Sequence, residues 1–406
     1  MKNIYIFDEY ISSQKNGIGT YLHQLLYCLK SPEYCINLIV FNANTKEFNI
    51  IKENNTKKYL FPVMKGHFLH HVKVIDKFLR LYIQDDPNNI FFLNHSPCAD
   101  FIMSIKNTHP LSKVIFIIHD FGWTGLLLGN LKEYKRIIKQ HKNFETNDSP
   151  ALKVYNQEKS IYEVADVIVC LSTDTYNILQ TIHQIPENKI SLIPNGIREF
   201  TIAKTKKDIA EIKDSFNIRN NEKILVVVGR PTKQKGVFAL VDSMKLILKE
   251  NKNVRLVIVG DANEQRFREL IKKTSLMAVS VSFTGLVDKS TLHKWLSIAD
   301  IGIIPSFYEQ FGFAGVEMMM HGLPIVASDG IGVRNMFENN VNAIIAKIGH
   351  RNRPYEYVHN LARSVLKLLN SPDLCDHLGR TGRTHYEEKY TINNMKINYK
   401  KLIESL

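Results

Sequence analysis

Short apolar, β-branched runs alternate with stretches of helical period along almost the whole chain. That alternation limits the fold more than any other feature, because parallel strands buried on both faces need a crossover helix between them. In the first half, Ile4–Phe7, Asn37–Phe41, Ile90–Leu93, Val114–Ile118, Val167–Leu171 and Ile190–Ile193 read as strands. Between the first two, Ile18, Tyr21, Leu22, Leu25, Leu26 and Leu29 recur at helical spacing and define one apolar face.

After Asn195-Gly196 the texture changes. Residues Thr201 to Asn221 are polar and charged with no strand signal, which predicts an interdomain linker there. A second α/β series follows, with strands expected at Ile224–Val228, Arg255–Val259, Val281–Phe283, Ile301–Ile304 and Pro324–Ala327. A helix is expected after Gly236, from the period of Val237, Leu240, Val241, Met244, Ile247 and Leu248. Past residue 350 the chain reads helical to its end. The 406 residues exceed the roughly 250–300 at which single cores stop growing. The expectation is an α/β protein of two doubly wound domains. The first covers 1–200, completed by a C-terminal helix at about 388–406, and the second covers 201–387. Such sheets bind ligands outside the carboxyl ends of their strands.

Composition excludes several classes. No apolar run reaches the ~18 residues of a membrane span, and the longest, Val114 to Gly129, is broken by His119 and Asp120. The N-terminus is too short and too soon acidic for a secretory signal. Cys28, Cys35, Cys98, Cys170 and Cys375 form no Cys-x-x-Cys pair, which points to a reducing, cytoplasmic setting. Net charge is +13, of which residues 1–200 supply +3 (22 basic, 19 acidic) and the remainder +10 (31 basic, 21 acidic). A basic chain can meet nucleic acid, an anionic membrane or a phosphorylated small molecule. No nucleic-acid signature is visible, so nucleic acid is not an expected partner.

Two constellations carry chemistry. Leu225-Val226-Val227-Val228-Gly229-Arg230 ends a strand, and Lys235-Gly236 opens the next helix. A helix N-terminus with Arg230 and Lys235 beside it suits a diphosphate, which free N–H groups and two cations would neutralise. Downstream, the strand Ile301–Ile304 ends at Pro305-Ser306 and leads into Glu309-Gln310-Phe311-Gly312-Phe313-Ala314-Gly315-Val316-Glu317. Glu309 falls in the loop and Glu317 inside the following helix, so each carboxylate can address one end of a ligand lying across the helix N-terminus. Gly312 permits close backbone approach, which offers the N–H groups around Phe311, Gly312 and Phe313 to phosphate or sugar oxygens.

This pair of motifs resembles the signature of glycosyltransferase family 4, retaining enzymes of the group 1 type. The resemblance implies a GT-B architecture, two Rossmann-like domains facing a central cleft. It implies that Glu309 contacts the transferred sugar, Glu317 the ribose hydroxyls, and Arg230 and Lys235, beside Gly229, the diphosphate. Phe283-Thr284-Gly285-Leu286-Val287 resembles the loop beside the nucleotide base. In the first half, Asn16-Gly17-Ile18-Gly19-Thr20 resembles the glycine-rich loop facing the diphosphate, through Gly17 and Gly19. His119, directly after its strand, matches a histidine near the donor sugar, and Ile193-Pro194-Asn195-Gly196 matches the segment leaving the first domain. Three positions depart from the family pattern: Arg198 where an acid is usual, Asn16-Gly17 where two glycines are common, and Asn335 where a Glu is expected.

The implied reaction moves a sugar from a nucleotide-diphosphate sugar, a UDP-sugar in preference to a GDP-sugar, to an acceptor hydroxyl. Neither metal nor cofactor is expected, since no Asp-x-Asp lies in a site and Asp85-Asp86 falls in a turn. A saccharide, a lipid-linked glycan or a peptide side chain could accept the sugar. Lys132, Lys135, Arg136 and Lys139, and likewise Lys73, Lys77 and Arg80, form basic helical stripes that could make peripheral contact with an anionic membrane. Two other readings stay open: a nucleotide-sugar 2-epimerase of similar fold, and a non-catalytic nucleotide-sugar-binding module.

Overall fold

The computed structural model describes residues 1–9, 17–53, 56–63, 68–94, 99–143, 149–200, 205–351 and 353–406. Asn16 of the glycine-rich loop, Cys98 and the first four residues of the expected linker, 201–204, lie outside the described residues. The chain divides into two compact units: Met1–Trp123 with Lys132–Gly196 and Ile392–Leu406, and Thr124–Leu131 with Ile197–Thr391.

The first unit is built on an eight-stranded sheet in the order β3-β4-β2-β1-β5-β6-β7-β8. Its strands are β1 (Lys2–Glu9), β2 (Tyr34–Ala43), β3 (Asn49–Glu53), β4 (Thr56–Pro62), β5 (Asn89–Leu93), β6 (Lys113–Ile117), β7 (Val167–Cys170) and β8 (Ile190–Leu192). All neighbours are parallel except the β3–β4 hairpin. The central strands are the continuous apolar runs, as burial on both faces demands: β5 and β7 are buried at every position. The hairpin is absent from the sequence expectation for the converse reason. Asn49–Glu53 is the edge strand, with no fully buried position, and Thr56–Pro62 beside it is buried only at Tyr59 and Phe61, so neither shows a continuous apolar run.

The C-terminal helix Ile392–Glu404 completes this unit, starting at Ile392 rather than near residue 388. It lies against the helix Gly17–Cys28. Tyr21 and Tyr399 are both fully buried, and their hydroxyls share a hydrogen bond of 2.6 Å. Burial pushes both phenols up, so the pair stays neutral. Tyr399→Phe leaves the Tyr21 hydroxyl without that partner, an expected loss of about 1–3 kcal/mol. Urea unfolding at pH 7 checks it, with an unchanged midpoint as the contrary outcome.

The second unit is a six-stranded, wholly parallel sheet in the order β11-β10-β9-β12-β13-β14. The strands are β9 (Lys223–Val228), β10 (Val254–Val259), β11 (Val281–Gly285), β12 (Ile301–Ile304), β13 (Ile325–Ser328) and β14 (Ile344–Ala346). The three-residue edge strand β14 is too short to announce itself in the sequence. The crossover helix Val237–Glu250 buries Val237, Leu240, Val241, Met244 and Ile247 on the sheet, the face that its periodicity predicts.

The expected linker at Thr201–Asn221 is corrected. The units part at Gly196/Ile197, and Lys206–Ser215 is a helix belonging to the second unit. A capping box starts it, with the Thr205 side chain on the Asp208 N–H and the Asp208 side chain on the Thr205 N–H. Phe216 stacks on Trp295 at 4.0 Å to anchor its end. Thr124–Leu131, placed by sequence in the first domain, groups with the second unit.

Candidate functional site

In the second sheet β9 has β10 on one side and β12 on the other, so the chain switches winding direction between β9 and β12. A crevice opens at the carboxyl ends of strands at such a switch. The two loops that flank it are the two that sequence reasoning singled out, Gly229–Gly236 after β9 and Pro305–Gly312 after β12.

They are laced together by backbone. The Phe307 N–H donates to the Gln234 carbonyl at 2.8 Å. Gly236, left-handed at φ 67°, starts the helix Val237–Glu250, and a Cβ there would collide with the Pro305 carbonyl. This close approach delivers Lys235 to Glu309: its Nζ lies 2.6 Å from each carboxylate oxygen. Ser306 Oγ also donates to Glu309 Oε1 at 2.7 Å. The pair is half-sheltered, with side-chain exposures of 34% and 11%. Sequence reasoning gave these two residues separate tasks and did not foresee that they bind each other. Arg230 is exposed at the end of β9 and makes no ion pair among the described residues.

A third loop fixes Glu309 from below. Its N–H donates to the Ile331 carbonyl at 3.0 Å, while Ser328 Oγ donates to the Ser306 carbonyl at 2.5 Å. Gly332 has φ 77°, and a Cβ on it would collide with the Glu309 carbonyl. Ser306, Ser328 and Gly332 were not singled out by sequence. The available signal was the glycine pair in Gly330-Ile331-Gly332, read only as a departure from the family pattern at Asn335.

Gly312 occupies the N-cap position of the helix Phe313–Met320, and no side chain caps that end. Its N–H groups point where the helix dipole favours negative charge. The Phe311 ring is buried against Phe313 and Tyr390, at 5.3 and 5.7 Å, so its backbone is what it offers. Glu317 is buried on this helix, and burial raises its carboxyl to about 7, with the Lys289 cation opposing. A neutral Glu317 can donate as well as accept a hydrogen bond. At the helix end, His321 Nε2 and His293 Nδ1 lie 2.8 Å apart.

At the carboxyl ends of β9, β10 and β11, Gly229, Gly260 and Gly285 form a contiguous backbone shelf. Gly229 N–H donates to Val259 O at 2.8 Å and Gly260 N–H to Gly285 O at 3.0 Å. Gly260 was missed, although Val259-Gly260 repeats the Val228-Gly229 pattern. Leu286 follows the shelf and is exposed. A groove of about 840 Å³ opens at the opposite, amino ends of the strands, where Lys223 is already paired with Asp300 at 2.8 Å. The cavity that Lys235 and Glu309 line is only about 10 Å³. Volume therefore does not locate the chemistry, since binding belongs at the carboxyl ends.

In the first unit the helix Gly17–Cys28 begins after β1, with Gly17 exposed and Gly19 buried in its first turn. His119, after β6, packs edge-on against Tyr21 of that helix at 4.6 Å. Its Nε2 lies 3.3 Å from Asn94 Oδ1 at the end of β5. Thus Gly17, Gly19 and His119 gather at one end of β1, β5 and β6, the first sheet's own switch point.

Residues 15–199 match the family model described as Glycosyltransferase Family 4, and residues 208–385 match that described as Glycosyl transferases group 1. The chain belongs to the family 4, group 1 glycosyltransferases. The glycosyltransferase is 29% identical over 295 residues to an uncharacterized glycosyltransferase of Methanocaldococcus jannaschii, covering 69% of this chain and 72% of that one. It is 22% identical over 333 residues to the lipopolysaccharide 1,2-N-acetylglucosaminetransferase of Salmonella typhimurium, covering 78% and 76%. In fold it matches sucrose-phosphate synthase from Thermosynechococcus elongatus at TM-score 0.75 and 17% identity, covering 100% and 99% of the two chains. The Anabaena HepE protein in complex with UDP-glucose matches at TM-score 0.70 and 15% identity, over 100% of both chains. Two parallel-sheet α/β domains of the GT-B kind are the shared architecture.

Proposed function

We propose that this glycosyltransferase moves a hexosyl group from a UDP-sugar to a saccharide hydroxyl with retention of configuration and without a metal. The Lys235–Glu309 pair at the β9/β12 switch point carries the reading. A donor entering there meets Lys235, Arg230 and the uncapped helix N-terminus at Gly312, three sources of positive potential for a departing diphosphate. Glu309, held by Ser306 and the Ile331 carbonyl, is placed to take sugar hydroxyls once Lys235 turns to phosphate. The C1–O bond breaks with its electrons going to the diphosphate. The acceptor oxygen bonds C1 on the same face, and its proton passes to the departing phosphate oxygen. Glu317 addresses the ribose hydroxyls, the shelf at Gly229 and Gly285 with Leu286 the base, and His119 the donor sugar.

The UDP preference is supported by the solved HepE complex with UDP-glucose, and the saccharide acceptor by the lipopolysaccharide-directed relative. The four described cysteines are free thiols, which supports a cytoplasmic setting. Among the described residues no helix is long and apolar enough to cross a membrane. Lys132, Lys135, Arg136 and Lys139 face solvent while Tyr134 and Ile138 are buried. Lys73, Lys77 and Arg80 likewise stand opposite buried Val72, Ile75 and Leu79. Contact with an anionic membrane through these stripes is therefore electrostatic, and 0.5 M salt should abolish it in vesicle co-sedimentation.

The test is UDP-glucose turnover in excess chelator, with the product anomer read by NMR. UDP release with the donor's anomeric configuration kept is expected. An inverted anomer, strict metal dependence, or release of a free epimerised sugar nucleotide would overturn the proposal.

A further inference from the structure

A polar cluster lies in the first unit directly behind the His119 loop. The helix Pro150–Val164 carries Tyr155, Glu158 and Tyr162, and His183 follows the helix Thr173–Thr181. Glu158 Oε1 accepts the Gly122 N–H at 2.7 Å. The His183 ring stacks on Phe121 at 6.1 Å and on Tyr155 at 5.0 Å, with Tyr162 edge-on at 5.0 Å. Two successive residues of the loop, Phe121 and Gly122, are thus gripped just beyond His119.

Several other polar atoms of the cluster are left over. Glu158 Oε2, both His183 ring nitrogens, Trp123 Nε1 and the Tyr134 hydroxyl are buried with no hydrogen-bond partner among the described residues. Such groups are rare in folded proteins and each costs its desolvation. The closest acid–base approach among them is Glu158 Oε2 to His183 Nε2, 3.8 Å, a small side-chain rotation from a hydrogen bond. An ion pair is not what faces the loop. Burial, aided by nearby Lys159, drops His183 to about 3. Burial raises Glu158 to about 8; the Gly122 N–H opposes this and Asp120 adds to it. Tyr134, from the helix Leu131–Asn143, also faces the carboxyl, and burial followed by Glu158 pushes its phenol up.

We propose that Glu158 is a positioning residue for His119: its carboxyl bridges the Gly122 N–H and His183 Nε2 and so ties the loop to the helices behind it. The bridge uses one oxygen as acceptor from Gly122 and the other, protonated, as donor to the imidazole. Loss of that proton puts a negative charge beside Asp120, where His183 cannot become its cation. The carboxylate then has no proton to donate to the imidazole, and the bridge is lost on its His183 side while the Gly122 N–H keeps its acceptor.

The linkage has a definite sign. Glu158 keeps a proton in the folded chain that the unfolded chain loses from 4.5 upward, so its contribution to stability falls as pH rises from 4.5 to 8. His183, depressed from 6.5 to about 3, works the other way, and its contribution falls as pH drops through that window.

The inference rests on the transferase reading for its kinetic consequence, and the experiment separates the two. UDP release from UDP-glucose is measured from pH 6 to 9.5 in wild type, E158Q and E158A. Wild-type kcat should fall about tenfold between pH 7 and 9, the loss of the neutral form of a group titrating near 8. E158Q, neutral at every pH and able to make both bonds, should lack that limb. E158A should lose kcat at all pH values with the donor KM unchanged. The same alkaline limb in E158Q and wild type, or full kcat in E158A with only a lowered Tm, overturns the proposal. If wild type releases no UDP at any pH, the transferase reading fails instead. Amide exchange at Gly122 and Trp123 then decides the positioning role: protection kept in E158Q and about tenfold lower in E158A supports it, and equal protection in all three overturns it.

Discussion

Lys235→Ala should lower sugar transfer by about 10²–10³-fold, the usual consequence of removing one preorganised donor from a site where anionic charge develops. The geometry makes this substitution do two things at once. It takes away the cation that meets the diphosphate, and it leaves the Glu309 carboxylate without the ammonium 2.6 Å from both its oxygens. The acid, 11% exposed, then keeps, among the described residues, only the Ser306 hydroxyl on its side chain and is no longer fixed by an ammonium for the sugar hydroxyls. Glu309→Gln should therefore cost a similar factor, and the double variant far less than the product of the two. Steady-state kinetics on the three variants checks this. Strict additivity would show that the pair seen here is not the state from which donor binding starts.

Gly332→Ala should be nearly as damaging although Gly332 bears no chemistry. Its φ of 77° is strained for alanine, and the added Cβ would meet the Glu309 carbonyl. Relief requires the Glu309 backbone to move, and a displacement of about 1 Å at a positioned group can cost about 10²-fold in rate. The expected signature is a large fall in kcat with a modest fall in Tm. Thermal unfolding beside kinetics distinguishes the outcomes: a variant that melts normally and turns over normally would remove Gly332 from the support of Glu309.

How much of this was legible in the sequence follows from where burial is two-sided. The central strands β5, β7, β9 and β12 are continuous apolar runs, and both glycine-bounded site loops adjoin such strands, so both could be located. The β3–β4 hairpin could not, because an edge strand and its half-exposed neighbour carry no such run. The helix Lys206–Ser215 was taken for linker because its residues are mostly polar, yet Thr205 and Asp208 stood three apart as a capping box. Within the site, residue types and loops were readable, but pairings were not. That Lys235 reaches Glu309 depends on Gly236 pressing against Pro305, a contact between residues 69 positions apart that periodicity does not encode. Glu158 and His183 gave no motif at all, since their interest lies in the partners they lack.

The most direct measurement is calorimetric titration of UDP into wild type and Lys235→Ala, both in excess EDTA. Binding to wild type without metal, weakened tenfold or more in the variant, is the expected result. No binding of UDP to wild type, or equal affinity in the two proteins, would contradict a donor site built on Lys235 and Glu309.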